Sequence, residues 1–390
     1  MDFSQSRPLL ITCAKGVAPF LEQELRQLQF PVTHVMNLGV FTQGSLTDCI
    51  RLNMQLRTSM RVLYLFDEFR AANPDELYAH VRHLPWEQVL SPDGFVSITS
   101  AVMTESITDT RFANLKCKDA LVDYMQERFG QRPNSGPDRR NTVLFLYWKG
   151  EQAAIYLDTS GETLSRRGYR KIPLQAPMQE TLGAAVISAM EWDINTPFVN
   201  PMCGSGTLAI EAALIALNKA PGLLRNNFGF MHINGYTPEA YQQVRKELRG
   251  ATVKSLPSPI IASDADPQAV EAARQNAKTA GVDLLVEFQV ADFRKTPLPD
   301  PPAVIVLNPA YGVRLNEFQR LKQQYKQIGD FFKLSCQGYR GFIFTGNLKL
   351  AKHVGLKTKR RFIFFNGSIE SRLLEYELYE GSRKVRPSPE

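Results

Sequence analysis

A chain of 390 residues exceeds what one hydrophobic core usually sustains, so two or three domains are expected, and its 44% apolar share is that of a water-soluble globular protein. Cys13, Cys49, Cys117, Cys203 and Cys336 are odd in number, scattered and without a CxxC pair. That argues against a disulfide framework and a zinc site and fits a reducing cytoplasm. The first sixteen residues lack a basic start with a long apolar run, and nowhere do 18 apolar residues follow one another, so secretion and membrane insertion are not expected.

The net charge of +7 is unevenly placed: residues 1–170 hold 19 basic and 19 acidic side chains, and residues 171–390 hold 27 and 20. The densest run is Lys349, Lys352, Lys357, Lys359, Arg360 and Arg361, with no acid between them. Such a run suits a phosphate backbone about as well as it suits a solvated surface.

From the N-terminus, strand-like runs at Pro8–Ala14, Val62–Phe69, Phe95–Val102, Thr142–Trp148 and Ala153–Ser160 alternate with helical patterns at Val17–Leu28, Leu46–Leu56, Asp75–His83 and Arg111–Phe129. The pattern predicts an α+β region of two small units, 1–65 and 66–165. A Gly-, Pro- and Arg-rich stretch within Gly161–Pro177 reads as a connection between domains, with the linker set at 166–177. From 178 to 390 the grammar is helix–strand alternation: helix Met178–Met190, strand PFVN, helix Thr207–Asn218, strand PIIASDA, helix Pro267–Ala280, strands LLVEFQVAD and AVIVLNP, helix Glu317–Leu334 and strand GFIFTGN. This predicts a Rossmann-like, doubly wound and mostly parallel α/β sheet with its ligand beyond the carboxyl ends of the strands.

Two loops of that sheet carry chemistry. In NPMCGSG (Asn200–Gly206), Gly204 and Gly206 let the backbone turn tightly and approach a ligand, and Thr207 opens a helix whose amide groups point at it. Asp264, at the end of the next strand, stands where such sites hold ribose hydroxyls. Asp266 opens the following helix and reads as its cap. Asp292, at the end of the strand after that, is either an acceptor for an adenine amino group or a turn-forming aspartate. Ala209 occupies the third glycine position of a GxGxxG dinucleotide fingerprint, a variant that such sites tolerate, so this loop alone does not exclude a dehydrogenase; the second loop disfavours one.

The second loop, NPAYG (Asn308–Gly312), comes directly after a run of buried-strand character. The Asn308 side-chain carbonyl and the Pro309 backbone carbonyl can grip both hydrogens of a planar amino group, and Tyr311 can stack on a base. Alone, this loop reads rather as a proline-rich turn with a core tyrosine. Glu180 and Thr181 enter as pocket-lining candidates from the preceding helix. His80 and His83 lie three apart without a third ligand, so no metal site is expected. Cys203 reads as a small packing residue.

With these motifs in place, the chain resembles the class I, S-adenosylmethionine-dependent amino-methyltransferases, and within them the THUMP-domain guanine-N2 RNA methyltransferases. The stretches that carry the resemblance are LDTSGETLSRRGYR, PMQETLGAA, PFVNPMCGSGTLAIEAA, SDADPQAVEAARQNAKTAGV, VLNPAYGVRL and KRRFIFFNGSIESRLLEYEL, spread over nearly the whole chain. It looks most like the bacterial enzymes that methylate a guanine of large-subunit ribosomal RNA. The resemblance implies a ferredoxin-like unit, a THUMP RNA-binding domain and a Rossmann-like catalytic domain. It maps the cofactor's methionine end to Asn200, Pro201, Cys203, Gly204 and Gly206, the ribose acid to Asp264, the adenine contact to Asp292, and the amino-group motif to Asn308, Pro309, Ala310 and Tyr311. Asn200 replaces the family's usual Asp and Ala310 its second Pro. The first change removes a negative charge, which implies weaker cofactor binding, and the second removes a rigid ring. The implied partner is structured RNA, ribosomal before transfer RNA. An RNA-binding assembly factor with decayed catalysis, and a methyltransferase for a small-molecule or protein amine, are the alternatives. Arg111, Lys116 and Lys118, with Arg166, Arg167 and Arg170, are the basic residues expected to serve RNA in an otherwise neutral N-terminal half.

Overall fold

The computed structural model describes residues 1–107, 109–172, 178–310 and 318–379. They form two units, one of Met1–Arg167 with Ala220–Thr252 and one of Gly168–Lys219 with Val253–Glu390.

The first unit is built on one eight-stranded sheet. Its strands are β1 (Arg7–Thr12), β2 (His34–Met36), β3 (Gly39–Gly44), β4 (Arg61–Arg70), β5 (Phe95–Met103), β6 (Asn134–Ser135), β7 (Thr142–Lys149) and β8 (Gln152–Asp158), in the order β2-β3-β1-β4-β8-β7-β5-β6. Helices α1 (Ala18–Gln27), α2 (Leu46–Gln55), α3 (Pro74–Arg82) and α4 (Thr110–Phe129) connect them. Residue 65, the division expected from the sequence, falls inside β4, which pairs with β1 on one side and β8 on the other, so the two halves share hydrogen bonds across a single sheet. Local chemistry explains the helix starts: Ser45 and Asp48 form a reciprocal capping box at α2, and Asn73 caps α3.

The second unit opens with α5 (Glu180–Met190), then β9 (Phe198–Pro201) and α6 (Thr207–Ala216). After α6 the chain departs through Ala220–Thr252, whose helix α7 (Pro238–Gly250) packs in the first unit against α2. The sequence pattern assigns this segment to the catalytic region and predicts no helix in it, and the structure differs on both points. The chain returns as β10 (Ile260–Asp264), α8 (Pro267–Ala280), β11 (Val286–Val290), β12 (Val304–Leu307), α9 (Phe318–Ser335), β13 (Arg340–Thr345), α10 (Leu348–Ala351), β14 (Arg361–Asn366) and β15 (Ile369–Glu377). The seven strands run β11-β10-β9-β12-β13-β15-β14, parallel as far as β13 and antiparallel at β15 and β14. The Rossmann-like expectation is met. The terminal hairpin, turning at Gly367 with φ +62°, is not among the predicted elements although Asn366-Gly367 is a strong hairpin signal.

All four residues of β12 are buried, as a strand covered on both faces requires. Its Leu307 packs with Ile343, Ile328 and Phe332 in one apolar cluster. Strand order reverses between β9 and β12, the crevice at which open α/β sheets hold their ligands.

Candidate active site

Both motif loops leave the sheet at this reversal, one from the end of β9 and one from the end of β12. Asn200, buried to 1% exposure, spans them: its Nδ2 donates to the carbonyl of Val306 at 2.9 Å, two residues ahead of Asn308. A carboxylate at position 200 could accept but not donate, so the Asn in place of the family's usual Asp makes a bond that Asp could not. Among the described residues its Oδ1 is buried without a partner, as are Asn308 Oδ1 and Thr181 Oγ1. Buried polar atoms left unpaired cost free energy unless something else fills them, which makes these three candidates to meet a ligand.

Between Asn200 and α6 the backbone enters the left-handed region three times, at Met202 (φ +56°), Gly204 (φ +55°) and Gly206 (φ +84°). For Met202 this costs about 1–2 kcal/mol, and such strain is typical of ligand loops. At Gly206 any side chain is excluded twice over, because a Cβ would also lie 2.9 Å from that of Ala273. Gly206 is the N-cap of α6 and provides no side-chain cap, which leaves the helix's first amides to serve a ligand. Cys203 donates its backbone N–H to the Ser263 carbonyl at 2.9 Å, and burial pushes its thiol up, so it packs as an inert residue. Pro201 is buried in β9.

Asp264 reaches this loop directly. Its Oδ2 accepts from Gly204 N–H at 3.0 Å, while Oδ1 accepts from Asp266 N–H at 3.0 Å. Asp266 caps α8 through Gln268 N–H at 2.9 Å, as its position predicts. Asp292 is engaged as a turn former: it accepts from Arg294 N–H at 3.0 Å and from that guanidinium at 2.8 Å, and the pairing holds its carboxyl below the usual 3.8. Any adenine contact there has to share the carboxylate with Arg294. Pro309 is buried and Ala310 exposed, and Tyr311 lies outside the described residues.

Sequence reasoning missed the residues that brace the loop. Arg170, assigned to an RNA surface, turns inward: it donates to Glu180 Oε1 (3.2 Å), Ser205 Oγ (2.9 Å), the Met178 carbonyl (2.7 Å) and Thr207 Oγ1 (3.0 Å). Two expected pocket residues, Glu180 and Thr207, are thus occupied by Arg170. Asn276, fully buried, donates to the Ser205 carbonyl at 3.1 Å and accepts from Lys171 N–H at 2.9 Å. The available signal was an Asn among Ala272, Ala273 and Ala277 on the buried face of a helix.

The basic residues expected to serve RNA are each engaged within the protein. Arg167 is buried and donates to the Arg57 carbonyl, and Arg166 pairs with Glu162. Arg111, Lys116 and Lys118 are each paired with an aspartate. In the later basic run, Arg360 is locked by Glu191 and Glu375 and Lys359 lies 3.6 Å from Glu377, while Lys349, Lys352, Lys357 and Arg361 are exposed. His80 pairs with Asp67 and stacks on Phe69. Among the described residues no three His, Cys, Asp or Glu side chains are grouped to hold a metal, and no helix is long and apolar enough to cross a membrane.

Residues 167–375 match the family described as RMKL-like, methyltransferase domain; residues 8–63 match the RlmL ferredoxin-like domain and residues 71–158 the THUMP domain. The last two matches end and begin within β4 or one residue past it. Among curated relatives, ribosomal RNA large subunit methyltransferase K/L of Syntrophotalea carbinolica is 38% identical over 95% of this chain and 53% of its own length. That of Psychromonas ingrahamii is 36% identical over 97% and 51%. The chain therefore spans about half the length of these relatives. The crystal structure of SMU.472 complexed with SAH superposes with a TM-score of 0.87 at 28% identity, covering 98% of this chain and all of that one.

Proposed function

The chain belongs to the family of RMKL-like methyltransferases, and on that footing we propose that it methylates RNA from S-adenosylmethionine, with the exocyclic N2 of a guanosine in large-subunit ribosomal RNA as acceptor. The observation that carries the reading is the bond from Asn200 to the Val306 carbonyl, which ties the glycine loop to the strand end that presents Asn308.

The residues present fit S-adenosylmethionine. Unpartnered buried acceptors at Asn200 and Thr181 suit its ammonium, Asp264 suits its ribose, and the uncapped start of α6 beside Gly204 suits its carboxylate. When bound, it supplies an electrophilic methyl group. Asn308 Oδ1, with the Pro309 carbonyl, takes the two hydrogens of the acceptor amine and turns its lone pair toward the methyl group. Transfer would break the methyl–sulfur bond and leave S-adenosylhomocysteine; as the nitrogen–carbon bond forms, positive charge grows on nitrogen, and the same two oxygens stabilise it before the surplus proton leaves to water. No strong base is needed. Holding the nitrogen in line is the main contribution, because it makes a bimolecular encounter nearly unimolecular. The THUMP region serves to select RNA by shape or by an end.

The test is transfer of labelled methyl to ribosomal and transfer RNA from cells lacking the protein, followed by nucleoside mass spectrometry. N2-methylguanosine in large-subunit RNA is the expected product. Label confined to transfer RNA would redirect the substrate assignment, and label on another atom would refute the role given to Asn308.

A further inference from the structure

Ser205 lies between two glycines that both adopt left-handed φ, and within the loop its peptide is held only by the Gly206 N–H, which donates to the Cys203 carbonyl at 2.9 Å. Two side chains from outside the loop add to that hold. Arg170 Nη1 donates to Ser205 Oγ at 2.9 Å, and Asn276 Nδ2 donates to the Ser205 carbonyl at 3.1 Å. Arg170 also grips the first residue of α6 through Thr207 Oγ1 (3.0 Å) and the approach to α5 through the Met178 carbonyl (2.7 Å). Asn276 further receives the N–H groups of Lys171 and Ile172 at 2.9 and 3.3 Å, which fastens the segment bearing Arg170 to α8. The guanidinium is nearly buried, at 13% side-chain exposure, and its charge is balanced by Glu180 at 8%.

We infer that Arg170 is a positioning residue for the cofactor loop, acting through Ser205 and Thr207 with Asn276 as its brace, so that the amides flanking Ser205 are ordered before S-adenosylmethionine arrives. This rests on the proposed function. A guanidinium is the side chain suited to the task, since its planar fork reaches several fixed acceptors at once, whereas a lysine ammonium reaches fewer. Ordering the loop in advance removes an entropy cost that binding would otherwise carry.

The experiment is a double-mutant cycle on S-adenosylhomocysteine affinity, measured by calorimetry on the full chain, with KM for RNA and the melting temperature recorded alongside. Arg170→Met is expected to raise the dissociation constant about tenfold, Ser205→Ala about threefold, and Arg170→Lys by an intermediate amount, with KM for RNA unchanged. In the double variant the loss should equal that of Arg170→Met alone, because Ser205 has no guanidinium left to meet. Equal Ser205→Ala effects in both backgrounds, or a folded Arg170→Met binding within twofold of wild type, would overturn the positioning role. Should Arg170→Met fail to fold, Arg170→Lys takes its place in the cycle under the same criteria. Wild-type protein that binds no S-adenosylhomocysteine overturns the underlying function and this inference with it, an outcome distinct from a wild type that binds and a variant that does not change.

Discussion

Loops at strand ends in the two units differ in what they do with their polar atoms. In the first unit the turn after β8 consumes them internally. Asp158 accepts from Ser160 N–H at 3.0 Å, Gly161 N–H at 3.2 Å and the guanidinium of Arg61. Arg225, from the segment between α6 and β10, donates to the carbonyls of Thr163, Ser160, Glu162 and Asn227 and lies 4.7 Å from the Phe228 ring. Burial brings its pKa down to about 10, which those carbonyls and nearby carboxylates make tolerable. In the second unit the loops after β9 and β12 leave Asn200 Oδ1 and Asn308 Oδ1 buried and unpaired among the described residues. From sequence, LDTS reads as the end of a strand and GE as the start of a connection, whereas NPMCGSG reads as a ligand loop. Saturation separates them: the acceptors of the first turn are met within its own unit, whereas the loops after β9 and β12 keep acceptors that a ligand can meet.

The sharpest way to break that contrast is Arg225→Ala, which strands four carbonyls and is expected to cost about 4 kcal/mol of first-unit stability in urea denaturation. A loss below about 1 kcal/mol would mean that water replaces the guanidinium and that the turn is not saturated by it. Next comes Asn308→Ala, expected to slow methyl transfer by about 10²–10³-fold while leaving S-adenosylhomocysteine affinity within about twofold and the melting temperature near wild type. Stopped single-turnover assays and calorimetry read both, and wild-type turnover would remove Asn308 from the mechanism.

Asp264→Ala is expected to weaken S-adenosylhomocysteine binding about 10–30-fold, because it deletes both the proposed ribose acceptor and the bond to Gly204; unchanged affinity would mean the loop needs no help from β10. The smallest effect concerns Asp292. Arg294 lowers its folded pKa below 3.8, so the stabilisation is complete above the unfolded value and disappears as pH falls through the lowered one. The stability gap between wild type and Arg294→Met should then be constant from pH 5 to pH 8 and close below about pH 4. A gap that widens on acidification would contradict the pairing.

Much of the catalytic unit was legible because its signals are local. The helix–strand alternation, the glycine pair before Thr207 and the Asp at the end of β10 are each set within a few neighbouring residues. Asp266 as a helix cap belongs with them. The basic residues were read least well, since charge is visible in sequence and direction is not. Arg166, Arg167 and Arg170 are nearly consecutive, yet one is exposed against Glu162, one is buried against a carbonyl and one braces the cofactor loop.

By itself the sequence determined the class of fold, the two motif loops and the kind of chemistry they suit, because periodicity and turn geometry are properties of adjacent residues. Only the tertiary structure decided that β4 joins two apparent units in one sheet, that Ala220–Thr252 packs with the first unit, and that Asn200 bridges to Val306. Those are hydrogen bonds and contacts between residues tens to more than a hundred positions apart, and a donor's partner at that distance is fixed by packing rather than by the chain beside it.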